Sequence, residues 1–565
     1  MAYGACTPGW TAIPRSTVLN KEVWALKTLI SRLFDPSAVR GKMPGIFRRA
    51  AVRTTLLTIV AFALLAGLAM AGDPTGAATG DINAVAAATA GQPTVAEIGA
   101  QLGHLTIGVN MFFVIVGVAL IFFMQAGFMM VETGFCRAKN SAHVAMTNFI
   151  VFGIGALAYW AIGFALQFGG FGSISLLGGV EPLNKMVQLA PGFGLFAHKG
   201  FLVGSLGDGT YDVGIFAFFL FQLVFMDTAA TIVTGAMAER WKFSAFIPMG
   251  IFMGAIVYPI YGMWVWGGGW LSQLGTTMHL GHGVLDFAGS SVVHAVGGWA
   301  ALAGAIVIGP RIGKFKKDGT PIAIPGHHIP MAIAGTIILF FGWFGFNGMS
   351  TLAAGDMRFS IIIGNTLLAG AAGMMTSLAV VWKMWGKPDP SMAVNGSLAG
   401  LVAITAPCAF VAPWAAVVIG GIAGVLVVYS VIFIERTLKI DDPVGASSVH
   451  GVNGLWGMIA LGLFADGSYG AGFNGIDGAV KGLFYGDPGQ LVAQLIACVV
   501  VVAWSFGLFY LFFKIQKATM GLRSSAADEV AGLDATEMGV LGYADFVTTS
   551  PVTDGAEYTS AGSEA

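Results

Sequence analysis

The sequence predicts an all-α integral membrane protein of eleven transmembrane helices, arranged as a five-plus-five inverted repeat with an extra C-terminal helix. Three observations lead there. Of 565 residues, 56% are hydrophobic and 10% charged, with a mean hydropathy of +0.78; a soluble domain carries about 25% charge. The apolar runs are roughly 18–25 residues long, which suits bilayer-spanning helices and not the ~10-residue alternating strands of a barrel. One stretch also occurs twice, as DFAGSSVVHAVGG over 286–298 and DPVGASSVHGVNG over 442–454.

Taken in order, the chain begins with a polar, mixed stretch, 1–42, unlike the apolar chain beyond it. From Met43 the pattern is that of a secretory signal: Arg48, Arg49 and Arg53, an apolar run over 56–69, then Ala69-Met70-Ala71 before Gly72. Residues 43–71 are expected to be a signal peptide, with Met43 the initiator and 1–42 a spurious extension. The competing reading is an uncleaved anchor. Residues 72–107 are rich in Ala, Gly and Thr and read as a loosely ordered exported segment.

The membrane domain is expected over 108–513, with spans at 108–131, 146–168, 213–237, 244–266, 287–309, 329–353, 359–382, 392–411, 414–434, 449–465 and 490–513. A cytoplasmic tail completes the chain, 514–565. With the N-terminus outside, the loops and tail that become cytoplasmic hold fifteen Lys and Arg, the opposite loops four. That asymmetry places the N-terminus out and the C-terminus in. The eighty-two glycines suit helices in close approach, since apolarity alone cannot hold helices together in lipid. Cys6, Cys136, Cys408 and Cys498 have no metal-like spacing.

The repeat then acquires geometry. Its copies share seven of thirteen residues, among them Asp286/Asp442 and His294/His450. The histidines fall in spans five and ten, so the unit has five helices. An odd unit inserts in opposite orientations, and inverted repeats put their sites near the midplane. A lone histidine in a span can simply bond between helices, but a symmetry-related pair favours a functional site. Two neutral rings can share one N–H···N bond and keep a donor and an acceptor for a small polar permeant. Two histidines without a third ligand make a poor metal site.

Span three carries Phe221 and Phe225, span six Phe346 and Ser350, and span four ends on Trp264, Trp266 and Trp270. Most such aromatics pack in the core or form an interfacial belt. The alternative is an indole face offered to a cation. Asp286 and Asp442 precede spans five and ten, positions suited to capping those helices. Glu132 ends span one, and Asp227 lies inside span three, where it is either functional or a protonated or hydrogen-bonded packing residue.

At these residues the chain resembles the ammonium transporter family (Amt/Mep/Rh), over about 110–540. The resemblance implies that Trp266, Ser350 and Phe225 form an outer vestibule, that Phe225 and Phe346 form a gate, and that His294 and His450 line the pore. Asp286 matches the family's conserved Asp, and Met520-Gly521-Leu522-Arg523 with Gly532-Leu533-Asp534 resembles its regulatory tail. It further implies a homotrimer in a bacterial inner membrane, and a PII-type (GlnK-like) signalling protein at the cytoplasmic face. The implied route is recruitment of ammonium, deprotonation, passage of ammonia along the histidines and reprotonation inside. Two acids depart from the simplest family pattern: Glu132, which ends the first span, and Asp227, where relatives often have a small apolar residue; the tail also has Met538 where they commonly have His.

Two other functions are weighed. A Rh-like channel for neutral gas is disfavoured by Trp266 and Ser350. An ammonium sensor is disfavoured because no kinase or cyclase domain follows residue 513. An enzyme is not expected, since no nucleophile triad, phosphate-binding loop or complete metal set is visible. No cofactor and no nucleic-acid partner is expected; the lipid bilayer and ammonium or ammonia are.

Overall fold

The structure, a computed structural model, describes residues 91–544 apart from 171, 173, 180–182, 184 and 205–211. These residues fall in one compact unit. The expected signal peptide and the stretch before it lie outside the described residues. In chain order the main helices are α1 Val95–Phe135, α2 Ala138–Phe168, α3 Val213–Met237, α4 Phe243–Val265, α5 Ser290–Ile308, α6 Ile329–Thr351, α7 Phe359–Trp385, α8 Pro390–Ile404 and α9 Pro413–Thr437. Then come α10, a π-turn Ser447–Val452 continuing as Asn453–Phe464, and α11 Pro488–Thr519. All but α8 and α10 are long and apolar enough to cross a membrane, nine among the described residues.

Among the boundaries that differ from the sequence expectation, those of α1 and α8 do so for a visible reason. Helix α1 starts at Val95, so 95–107 is helical and not a loose segment. Thr94 accepts from Glu97 N while the Glu97 carboxylate accepts from Thr94 N, a reciprocal cap that fixes the start. Helix α8 stops at Ile404, well before the expected 411. Its 15 residues span only ~22 Å. The chain then turns, and its buried backbone is satisfied by the segment before α5: Phe287 N donates to Ala406 O and Ala288 N to Thr405 O, both at 3.2 Å, and Ala406 N to Ser290 Oγ at 2.7 Å. Non-helical backbone inside a membrane protein survives where it is paired like this. Helix α11, finally, runs on to Thr519 into the expected tail.

Burial separates an inner set from an outer one. The apolar windows of α3 and α5 are 83% and 89% buried, those of α1 and α11 28%, so α3 and α5 form the centre. Small residues bring helices together around it. A Cβ on Gly373 of α7 would meet Gly396 O of α8 at 2.3 Å, and one on Gly424 of α9 would meet Gly373 O at 2.2 Å. Helix α7 is thus wedged between α8 and α9 with no room for a methyl group. A short antiparallel hairpin, β1 Met186–Gln188 and β2 Gly194–Ala197, lies in the α2–α3 connection.

One end of the bundle is closed by charge. Arg311 binds Asp441 through Nε and Nη2, each at 2.9 Å, and Glu239 through Nη1 at 3.0 Å. Arg137 also bonds the Glu239 carboxylate. Burial alone would raise the Asp441 pKa, but the Arg240 charge and the Arg311 bonds outweigh it and hold the carboxyl well below its usual range. The tail docks on the same end. Asp534 accepts from Ala142 N at 3.0 Å and His143 N at 2.8 Å. Glu537 accepts from Phe243 N at 2.6 Å. Two tail acids therefore bond the first turns of α2 and α4, where unpaired N–H groups and the helix dipole favour negative charge.

Candidate functional site

Both copies of the repeated stretch fold alike. In each, an Asp is followed three residues on by a glycine at positive φ, +115° at Gly289 and +78° at Gly445. The Asp then collects the backbone N–H groups that open the next helix. Asp286 Oδ1 accepts from Gly289 N at 2.9 Å and Ser290 N at 2.8 Å; Oδ2 accepts from Ser291 N and Ser291 Oγ at 2.7 Å and Val292 N at 3.0 Å. Asp442 accepts from Gly445 N at 3.0 Å, Ala446 N at 3.1 Å and Ser447 N at 2.7 Å. A β-carbon on Gly289 would sit 2.6 Å from Val293 Cγ2, so the turn needs glycine twice over.

A π-turn comes next in each copy, Ser290–Ala295 and Ser447–Val452, and each holds its histidine. The two helices cross where Gly298 meets Gly451: a Cβ on Gly298 would lie 2.1 Å from Gly451 N. Backbones this close bring the imidazoles together. His294 Nδ1 and His450 Nδ1 are 3.2 Å apart, and the rings lie 24° from parallel with centroids 5.3 Å apart. One of the two Nδ1 atoms must carry the hydrogen and the other accept it. Both rings are buried, and His294 Nε2 has no hydrogen-bond partner among the described residues.

An aromatic column stands on the His294 side. Phe346 packs on His294 with centroids 5.5 Å apart, and Phe225 on Phe346 at 4.1 Å. Trp266 meets Phe225 edge-on at 6.1 Å. Beyond Phe225 opens a cavity of about 410 Å³ lined by Trp266, Ser350, Gln222 and Phe221, among others. Trp266 Nε1 donates to Asp286 O at 2.6 Å, which fixes the indole plane. Ser350 Oγ donates to Phe346 O at 2.7 Å, leaving its lone pairs as acceptors. On the far side, His450 lines a second cavity of about 20 Å³, together with Phe128, Glu132 and Asn395. That volume holds one water-sized molecule.

The structure thus brings Trp266, Ser350, Phe225, Phe346, His294 and His450 into one line, and puts Asp286 and Asp442 at the backbone turns beside it. Asp227 is buried in α3, with Oδ1 unpaired among the described residues. Sequence reasoning missed two features. Trp343 stacks on His294 at 5.1 Å and 20°, and its Nε1 donates to Thr405 Oγ at 2.9 Å; its place three residues before Phe346 was the available signal. Around Glu132 lies a closed ring of Asn148, Gln125, Thr231 and Thr234. Its clue was polar residues at helical spacing in otherwise apolar spans.

Similarity to known proteins covers the same region. The model of the Ammonium Transporter Family matches residues 112–543. Ammonium transporter Amt2 of Archaeoglobus fulgidus is 49% identical over 433 residues, 76% of this chain and 87% of that protein. Ammonium transporter Amt1 of Haloferax mediterranei is 36% identical over 455 residues, 78% of this chain and 81% of that protein. Among solved structures, a sensor Amt protein superposes with a TM-score of 0.66 at 37% identity, covering 77% of this chain and 99% of its own. Candida albicans Mep2 superposes with a TM-score of 0.60 at 26% identity, over 74% and 86%. A family match across the whole described bundle, with relatives this similar over three-quarters of the chain, gives the assignment: this chain is a multi-pass membrane protein of the ammonium transporter family.

Proposed function

We propose that the chain carries ammonium across a bacterial inner membrane, through a pore running from the Trp266 cavity past Phe225 and Phe346 to His294 and His450. The observation that carries this reading is the unbroken file of ring contacts leading from Trp266 to a directly bonded histidine pair. Ammonium and potassium ions are alike in size and charge, so attraction alone cannot separate them. An N–H donor bonding Ser350, with its charge against the Trp266 and Phe225 faces, can. Moving an intact cation between buried phenylalanines is expensive. Loss of a proton at the gate and passage of neutral ammonia along the imidazoles avoids most of that cost. Asp286 and Asp442 hold the turns that aim the histidine helices, and Asp227 adjusts cation affinity from within α3.

In this reading eleven segments cross the membrane, the shorter α8 and α10 together with the non-helical backbone that adjoins them, α1–α5 and α6–α10 forming an inverted repeat and α11 the extra helix. The N-terminus faces the periplasm behind a signal peptide, and the tail faces the cytoplasm. Three subunits assemble with one pore each, and a PII-type (GlnK-like) protein binds the cytoplasmic face. The reading is tested by uptake of isotope-labelled ammonium into proteoliposomes: the wild-type chain takes it up, and uptake in both single variants H294A and H450A at the wild-type rate overturns the pore.

A second reading, an ammonium sensor acting on cytoplasmic partners, is favoured by one observation, the similarity to a solved sensor Amt protein at 37% identity. It predicts saturable ammonium binding without flux.

A further inference from the structure

The cavity beyond His450 contains a group that the pore as described does not use. Glu132 is 3% exposed and lines that cavity with His450. Asn148 Nδ2 donates to its Oε2 at 2.7 Å. Thr234 Oγ lies 2.9 Å from Oε1 and 2.8 Å from Oε2, and also 2.6 Å from Thr231 O. Thr231 Oγ is 3.0 Å from Gln125 Oε1, and Gln125 Nε2 bonds Asn148 O, which closes the ring.

Thr234 has one hydroxyl hydrogen and two partners that can take it. When Glu132 is ionised, that hydrogen points at the carboxylate and Asn148 supplies a second donor. When Glu132 is protonated, the acid O–H points at Thr234 Oγ and the hydroxyl hydrogen turns to Thr231 O. In both protonation states the carboxyl keeps its bonds to Asn148 and Thr234 with every heavy atom in place. A purely structural buried carboxyl needs only one such arrangement. The other titratable groups facing it are His450 across the cavity, Asp442 and Cys136.

We propose that Glu132 is the inner proton-exchange site, where ammonia leaving His450 is returned to ammonium and held before release; this rests on the transport reading above. The nitrogen lone pair takes the carboxyl proton, so an N–H bond forms as the O–H bond breaks. The product is an ammonium ion against a carboxylate, with the Thr234 hydroxyl now donating to that carboxylate. After the ion departs, a hydronium ion of the cytoplasmic water returns a proton to Glu132.

The test is ammonium uptake by the full chain in proteoliposomes, with internal pH stepped at fixed external pH. Wild-type uptake is expected to fall along one titration as internal pH rises. E132Q, which keeps the shape but exchanges no proton, loses about tenfold or more in rate, and the internal-pH transition disappears. Half-saturation by external ammonium stays as in wild type. T234V keeps the acid but removes the hydroxyl that changes role, so it shifts the transition. Wild-type rates and pH dependence in E132Q overturn the proposal. If E132Q does not elute as the folded protein, T234V decides alone, and an unshifted transition there overturns it. A wild-type chain without flux fails differently: it removes the transport reading, and this proposal with it.

Discussion

His294 and His450 meet Nδ1 to Nδ1 at 3.2 Å, so each ring determines the tautomer of its partner. The ring that donates at Nδ1 has an accepting Nε2, and the ring that accepts at Nδ1 has a donating Nε2. Removing either imidazole therefore removes a polar contact from the lumen and leaves the other ring without a buried partner. A step that loses ~1–3 kcal/mol of hydrogen bonding slows by about 5–150-fold. Both H294A and H450A are expected to lose at least that much ammonium flux, read as initial uptake in proteoliposomes.

The vestibule is expected to set affinity more than the rate of passage. W266L removes the indole face over the cavity and with it ~0.5–2 kcal/mol of cation attraction. Half-saturation by ammonium should rise by about 2–30-fold. S350A removes the acceptor lone pairs and should weaken ammonium without changing potassium. Equal loss for both ions would show that Ser350 does not read the N–H group.

Close approach at Gly298 and Gly451 is predicted to be indispensable to the histidine geometry. A methyl group at Gly298 would begin 2.1 Å from backbone nitrogen, so α5 and α10 must separate in G298A. Overpacking of this kind costs ~1–3 kcal/mol. The expected outcome is a lower melting temperature in detergent, with flux lost although both histidines remain. Melting and flux at wild-type levels would show that the crossing can relax.

Asp441 carries the clearest pH dependence. Its carboxyl is held below the ordinary aspartate value of 3.8 by Arg240 and Arg311 against the cost of burial. Stability from that pairing is present above the ordinary value and is lost as pH falls below it toward the depressed one. The wild-type chain should therefore lose melting temperature on acidification in that window. D441N, lacking the charge, should start less stable at neutral pH and show a smaller acid loss. An identical acid loss in D441N would assign the effect to other groups.

The tail acids give a local prediction. Asp534 bonds two backbone amides of the first turn of α2, a cap that contributes ~0.5–2 kcal/mol. D534A should free the tail, seen as faster hydrogen exchange at 141–145 and earlier proteolysis after residue 523. Unchanged exchange would mean that Glu537 and Arg523 hold the tail without it.

How much of this could be read from the residues depends on how local the cause is. The histidine stretch was legible because its geometry is written in a short run: an acid, a glycine at positive φ, a serine and a histidine. The aromatic column was legible through short motifs, whose spacing places Phe346 and Ser350 one helical turn apart. The early end of α8 was not, because run length alone passes over Pro407, and the pairing that stabilises the turn comes from Phe287 and Ala288, more than a hundred residues upstream. The same applies to the Glu132 ring, whose members come from α1, α2 and α3. No pattern within one helix reveals that Thr234 and Asn148 face the same carboxyl.

The central claim, that the Trp266-to-His450 file conducts ammonium selectively, is tested most directly by following uptake of isotope-labelled ammonium into proteoliposomes holding the reconstituted chain. Uptake is read above that of empty vesicles under an imposed pH gradient, with and without excess external potassium. The account predicts uptake that grows as the interior is made more acidic, that excess potassium leaves in place, and that H294A and H450A each lose. Uptake abolished by potassium, or unchanged in both histidine variants, would contradict it.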